Sequence, residues 1–135
     1  MSPSGLVTFL FTDIEGSTRL SQDFPEKLQA ALERHNQILK EALESNSGFI
    51  YDMIGDSFYC AFEKSIDAVN AAVAIQKELG KEKWDEAVIK VRIGIHTGNA
   101  EWNGEKYMGY ITLARTARIM QAAYGEQILL SLIHI

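Results

Sequence analysis

The sequence predicts an α+β domain with a ferredoxin-like βαββαβ core, its antiparallel-centred sheet packed by helices on one face. Three observations lead there. A short strand-like run near the start is apolar on both faces, a strand–turn–strand unit stands in the middle, and segments of 3.6-residue period separate the strands.

Leu6-Val7-Thr8-Phe9-Leu10-Phe11 is β-branched, aromatic and apolar on both faces, as a central strand covered from both sides must be. Thr12-Asp13-Ile14-Glu15-Gly16-Ser17-Thr18 then reads as a turn and a helix start. A second helix is expected from Asp23-Phe24-Pro25, with Asp23 as cap and Pro25 in the first turn. Leu28, Leu32, His35, Leu39, Ala42 and Leu43 form its stripe, and Ser45-Asn46-Ser47-Gly48 ends it. Strands at 49–54 and 58–62 flank Gly55-Asp56-Ser57, a hairpin turn. Residues 65–80 read as a helix with Val69, Ala72, Val73, Gln76 and Leu79 on one face and Gly80 as its C-terminal cap. Residues 88–96 alternate as a strand, 97–109 form a loop, 110–123 a helix and 127–131 a last strand.

A chain of 135 residues has room for one domain. Thirteen basic against eighteen acidic residues give a net charge of −5, a poor footing for nucleic acid or anionic lipid, so neither is expected as a partner. No apolar run approaches the roughly 20 residues that cross a bilayer, and Met1-Ser2-Pro3-Ser4-Gly5 lacks a basic n-region. The single Cys60 excludes an internal disulfide. A cytoplasmic domain is the expectation.

Two carboxylates carry the chemistry. Asp13 follows a buried strand and precedes a glycine-hydroxyl turn; it reads either as a helix cap or as a ligand for a divalent metal. Backbone N–H groups of Glu15, Gly16, Ser17 and Thr18 at a helix start suit phosphate oxygens. Asp56 at a hairpin tip reads as turn chemistry or as a second ligand. The topology makes the first strand and the hairpin neighbours, so both acids can meet on one cation of the Mg²⁺ or Mn²⁺ type. Arg118 reads as a solvated helix arginine or as a clamp on phosphate charge, with Arg115 as the competing choice. His35, His96 and Cys60 read as structural.

These residues bring a resemblance into view. Phe11-Thr12-Asp13-Ile14-Glu15-Gly16-Ser17-Thr18 resembles the first metal motif of class III nucleotidyl cyclase domains, and Ile54-Gly55-Asp56-Ser57-Phe58-Tyr59-Cys60-Ala61-Phe62 resembles their hairpin with the second metal aspartate. Arg92-Ile93-Gly94-Ile95-His96-Thr97-Gly98, the spacing of Ala114 and Arg118, and Gly125-Glu126-Gln127-Ile128-Leu129-Leu130-Ser131 match further segments in order, so the likeness covers residues 5–131. The resemblance implies formation of a 3′,5′-cyclic nucleotide from a nucleoside triphosphate, with release of pyrophosphate. It implies two metal ions on Asp13, Asp56 and the Ile14 carbonyl, and phosphates on the amides of residues 14–18. It also implies a head-to-tail homodimer in which Arg118 acts on substrate bound mainly by the partner chain.

Departures from the family pattern are specific. Asp52 stands where ATP-using members carry a base-reading lysine, and Lys106 where they carry its acidic counterpart. Ala114 replaces a transition-state asparagine. The interval from Gly109 to Arg118 is one residue longer than usual, a register that would put Tyr107 in the acid's place. The resemblance further implies a domain truncated at its C-terminus and fused to other modules in the full protein. Leu130-Ser131-Leu132-Ile133-His134-Ile135 matches the translation of a sequencing adapter, so 132–135 is expected to be a non-native tail.

Overall fold

A computed structural model of the chain describes residues 2–131, and the expected tail at 132–135 lies outside them. The elements run β1 (Gly5–Ile14), α1 (Ser17–Asp23), α2 (Leu28–Ser45), β2 (Phe49–Ile54), β3 (Ser57–Phe62), α3 (Ser65–Lys81), β4 (Val91–Trp102), β5 (Tyr107–Met108), α4 (Tyr110–Ala122) and β6 (Ile128–Leu130). Sheet order is β2-β3-β1-β4-β5, with β6 alongside β4. β1 is antiparallel to β3 on one side and to β4 on the other, whereas β6 runs parallel to β4. The expected α+β core is present. β1 lies at its centre because Val7, Phe9, Leu10 and Phe11 offer no polar face to water, and all four are buried.

Alternation along β1 divides the core in two. Leu10 and Ile14 pack with Ile38, Leu39 and Leu43 of α2 and with Ala71, Ala72 and Ile75 of α3. Val7, Phe9 and Phe11 pack with Tyr107 and with Met120 of α4. The helices therefore cover both faces, which corrects the expectation of one helical face. The reason lies in β4. A Cβ on Gly94 would stand 2.3 Å from the Met120 backbone nitrogen, and one on Gly98 2.6 Å from Thr112 Oγ1. Two missing side chains let α4 lie directly on the strand.

Smaller corrections follow from the same packing. β1 continues to Ile14, so Asp13 ends a strand rather than opening a turn. Pro25 lies between α1 and α2, and α2 begins at Leu28. In α3 the buried residues are Ala68, Ala71, Ala72, Ile75 and Leu79, whereas Val73 is 40% exposed and Gly80 is still helical. The narrow gap between α3, α2 and the sheet admits methyl groups better than branched side chains. β4 starts at Val91 rather than Val88 and continues through the expected loop to Trp102, where β5 pairs with it. His35 and Cys60 are fully buried and His96 is 1% exposed, in line with structural roles. Among the described residues no helix is long and apolar enough to cross a membrane.

Candidate active site

β1 is bonded unequally on its two edges. Its ladder with β4 continues to Asp13↔Arg92 and Ile14↔Val91, but its ladder with β3 stops at Phe11↔Tyr59. Beyond that point the backbone ladder gives way, leaving a notch between the end of β1 and the hairpin tip. Side chains bridge it: the Phe58 N–H donates to Thr12 Oγ1 at 3.1 Å, and the Ser57 hydroxyl to Asp13 Oδ1 at 3.2 Å. The other Asp13 oxygen accepts from Arg92 Nη2 at 2.7 Å and from Nε at 3.3 Å. Arg92 also donates through Nη1 to the Gln121 carbonyl at the end of α4.

Asp56 shares this notch. Its carboxyl is held above the ordinary 3.8, first by burial and then by the charge and hydrogen bond of Asp13, while the Ser17 side chain draws it back. Two carboxylates this close oppose each other's ionisation, and a divalent cation between them would offset that. Among the described residues no three acidic, histidine or cysteine side chains converge on one point. The pair thus suits an ion that completes its shell from a carbonyl, water and phosphate, as Mg²⁺ and Mn²⁺ do. Hard oxygen donors fit such an ion, and Ile14 stands next to Asp13 at the same strand end.

The turn after β1 is fastened twice through Glu15. The Glu15 N–H donates to the Lys90 carbonyl at 2.9 Å, and its carboxylate accepts the Gly125 N–H. Gly16 takes a left-handed φ of 67°, which turns the chain into α1 at Ser17 and Thr18. A groove of about 260 Å³ runs beside it, lined by Ile14, Ser17, Thr18, Leu20, Leu32 and Asp56.

The other expected site residues are not drawn into this cluster. Arg118 is exposed on α4 and makes no hydrogen bond or ion pair among the described residues. Arg115, equally exposed, borders a separate groove of about 510 Å³ with His96, Gly98, Tyr110 and Thr112. Asp52 follows a bulge at Tyr51 in β2 and, among the described residues, its side chain accepts only the neighbouring Met53 N–H, at 2.9 Å. Lys106 is exposed in a turn organised by Asn103, whose Oδ1 accepts its N–H at 2.9 Å.

Residues 1–131 match the family model described as the adenylate and guanylate cyclase catalytic domain. The chain belongs to this family. An uncharacterised protein of Mycobacterium tuberculosis is 36% identical over 133 residues, which are 97% of the chain and 44% of that protein. An adenylate cyclase of Lachancea kluyveri is 28% identical over 155 residues, 96% of the chain but 8% of its own length. The chain thus spans less than half of either relative. A monomeric adenylate cyclase structure from Trypanosoma brucei superposes with a TM-score of 0.87 at 25% identity, over 97% of the chain and 75% of its own. The guanylyl cyclase domain of a RhoGC fusion protein from Blastocladiella emersonii shares the fold with a TM-score of 0.82 at 21% identity, over 95% and 81%.

In this cyclase domain the residue that sequence reasoning passed over is Arg92. It lies inside a matched segment, but its pairing with Asp13 depends on the β1–β4 register. A basic residue opening a strand that neighbours an acid-ending strand was the available signal.

Proposed function

We propose that this cyclase domain converts a nucleoside triphosphate, ATP, to a 3′,5′-cyclic nucleotide and pyrophosphate in cytoplasmic signalling. The observation that carries the proposal is the meeting of Asp13 and Asp56 in one notch beside the 14–18 turn. The ribose 3′-oxygen attacks the α-phosphorus, the bond to the α–β bridging oxygen breaks, and pyrophosphate leaves with that electron pair while the 3′-proton passes to solvent. Two divalent ions, Mg²⁺ or Mn²⁺, held by Asp13, Asp56 and the Ile14 carbonyl, would acidify the 3′-hydroxyl and neutralise triphosphate charge.

The chain's own groups bind and orient the rest. Amides of Ile14, Gly16, Ser17 and Thr18 face the phosphates; the Glu15 N–H, expected among them, is instead spent on the Lys90 carbonyl, and that bond together with the Glu15 carboxylate keeps the turn preformed. Arg118 stands exposed on α4 with no hydrogen bond or ion pair to either carboxylate, which supports a role at the site of a second copy in a head-to-tail homodimer. There it stabilises the charge that develops on phosphate. Asp52 and Lys106 read the base as a pair with their charges exchanged. The relatives' greater length supports further domains joined to this one.

Ala114 favours a second reading, a cyclase-like module that binds nucleotide or dimerises without turnover. Loss of one transition-state donor typically costs about 100- to 1000-fold in rate. Incubation of purified protein with Mn²⁺ and ATP or GTP, followed by mass detection of cyclic product, separates the two. Product that vanishes in Asp13→Ala supports the cyclase; tight triphosphate binding with no product from either nucleotide supports the module.

A further inference from the structure

We propose that Thr12 is a positioning residue whose hydroxyl acts as a spacer between β1 and β3, setting the distance between the Asp13 and Asp56 carboxylates. The proposal rests on the metal-dependent cyclase reading. Thr12 is fully buried and Phe58 is 1% exposed; in β1 the other buried polar residue is Thr8, whose hydroxyl bonds that of Thr97. A hydroxyl at such a position costs desolvation unless it is bonded, and so does an unpaired backbone N–H. Here each satisfies the other, with the Phe58 N–H donating to Thr12 Oγ1 at 3.1 Å.

That bond falls one residue past the last β1–β3 pair, Phe11↔Tyr59, and one residue before Asp13. Paired strands ordinarily run about 4.8 Å apart. A hydroxyl standing between β1 and the donor N–H widens that spacing locally and removes the acceptor that would keep zipping the strands together. Meanwhile β1 stays fully paired with β4 out to Ile14, so β3 is the strand that moves. Two residues on from the displaced N–H, in the direction of the hairpin tip, lies Asp56. The β-branched threonine has few rotamers in a strand, so the spacer is stiff.

The test compares Thr12→Val, which keeps the shape and removes the acceptor, with Thr12→Ser, which keeps the acceptor. Mn²⁺ binding is measured by titration calorimetry without nucleotide, together with hydrogen exchange at the Phe58 amide and the melting temperature. Thr12→Val is expected to weaken Mn²⁺ about 10- to 100-fold, as loss of a supporting contact around a metal ligand commonly does, and to expose the Phe58 amide. Thr12→Ser should bind Mn²⁺ as the native protein does. Equal Mn²⁺ affinity in Thr12→Val, or equal loss in Thr12→Ser, overturns the proposal. If the valine variant does not fold, Thr12→Cys, a weaker acceptor of similar size, replaces it; native Mn²⁺ affinity there is equally fatal. Native protein that binds Mn²⁺ but makes no cyclic product rejects the cyclase reading and leaves the spacer intact, whereas no Mn²⁺ binding at all rejects both.

Discussion

Asp13 and Asp56 are enclosed by partners from the two strands beside β1 and from the start of α1, whereas Asp52, Lys106 and Arg118 stand exposed and, among the described residues, make at most hydrogen bonds within their own strand or turn. The enclosed end has its geometry before any ligand arrives. The exposed end has only charges, with no partner in the fold to give them positions; under the proposed reading a second copy and the substrate would do so. A cyclase domain built this way can lose or exchange residues at the exposed end with little effect on folding. Changes at the enclosed end alter the machinery itself.

The largest effect should come from the enclosed end. Asp13→Ala or Asp56→Ala should reduce cyclic product by about 1000-fold or more, the scale expected when charge stabilisation by a metal is removed. Product at half the native rate would break the comparison. Arg118→Ala should lower kcat by about 100- to 1000-fold. Its melting temperature should stay within about 1 °C of native, because an exposed, unbonded side chain contributes little stability. Mixing the Arg118→Ala and Asp13→Ala proteins sharpens the point: one intact site should form per hybrid dimer, and activity should return. An inactive mixture argues against a shared site.

A smaller gain is expected from exchanging the base-reading charges. Asp52→Lys combined with Lys106→Asp should raise ATP cyclisation about tenfold, read as kcat/KM with ATP against GTP. The smallest effect is one of pH. His35 lies behind the notch with its ring edge-on to Phe58, at 5.9 Å between centroids, and burial holds its pKa below the ordinary 6.5. Because the folded value is the lower one, the unfolded chain takes up the proton first as pH falls. The contribution of His35 is therefore complete above about pH 6.5 and is lost as pH drops below it toward the folded value. His35→Leu should narrow the difference in melting temperature between pH 7.5 and pH 5.5; an unchanged difference would show that other groups set the acid response.

Element order, the central place of β1 and the two carboxylates were legible because they rest on local patterns: an apolar run, a hairpin turn, an acid after a strand. What escaped depended on pairs far apart in sequence. Thr97-Gly98-Asn99 looks like a loop start, yet Gly98 is bare because Thr112 of α4 sits on it. Val73 outranks alanine in hydrophobicity, yet alanines face the core because the helix lies close. Arg92 reaches Asp13 across 79 positions of sequence, and only the strand register shows it. Thr12 and Ser57 were read as parts of motifs, not as the ties across a splayed ladder.

The bulge at Tyr51 bears on how the protein behaves at high concentration. β2 is the outermost strand of its side of the sheet, and such an edge presents free amides and carbonyls to any other extended chain. One extra residue there twists the edge and breaks its repeat, and Asp52 places a charge beside the break. A chain that lost residue 51 and carried an apolar side chain at 52 would offer a straight, sticky border, and soluble protein would give way to aggregates. Lysine at position 52 keeps a charge on that border, so the base-reading variant should concentrate as well as the native chain.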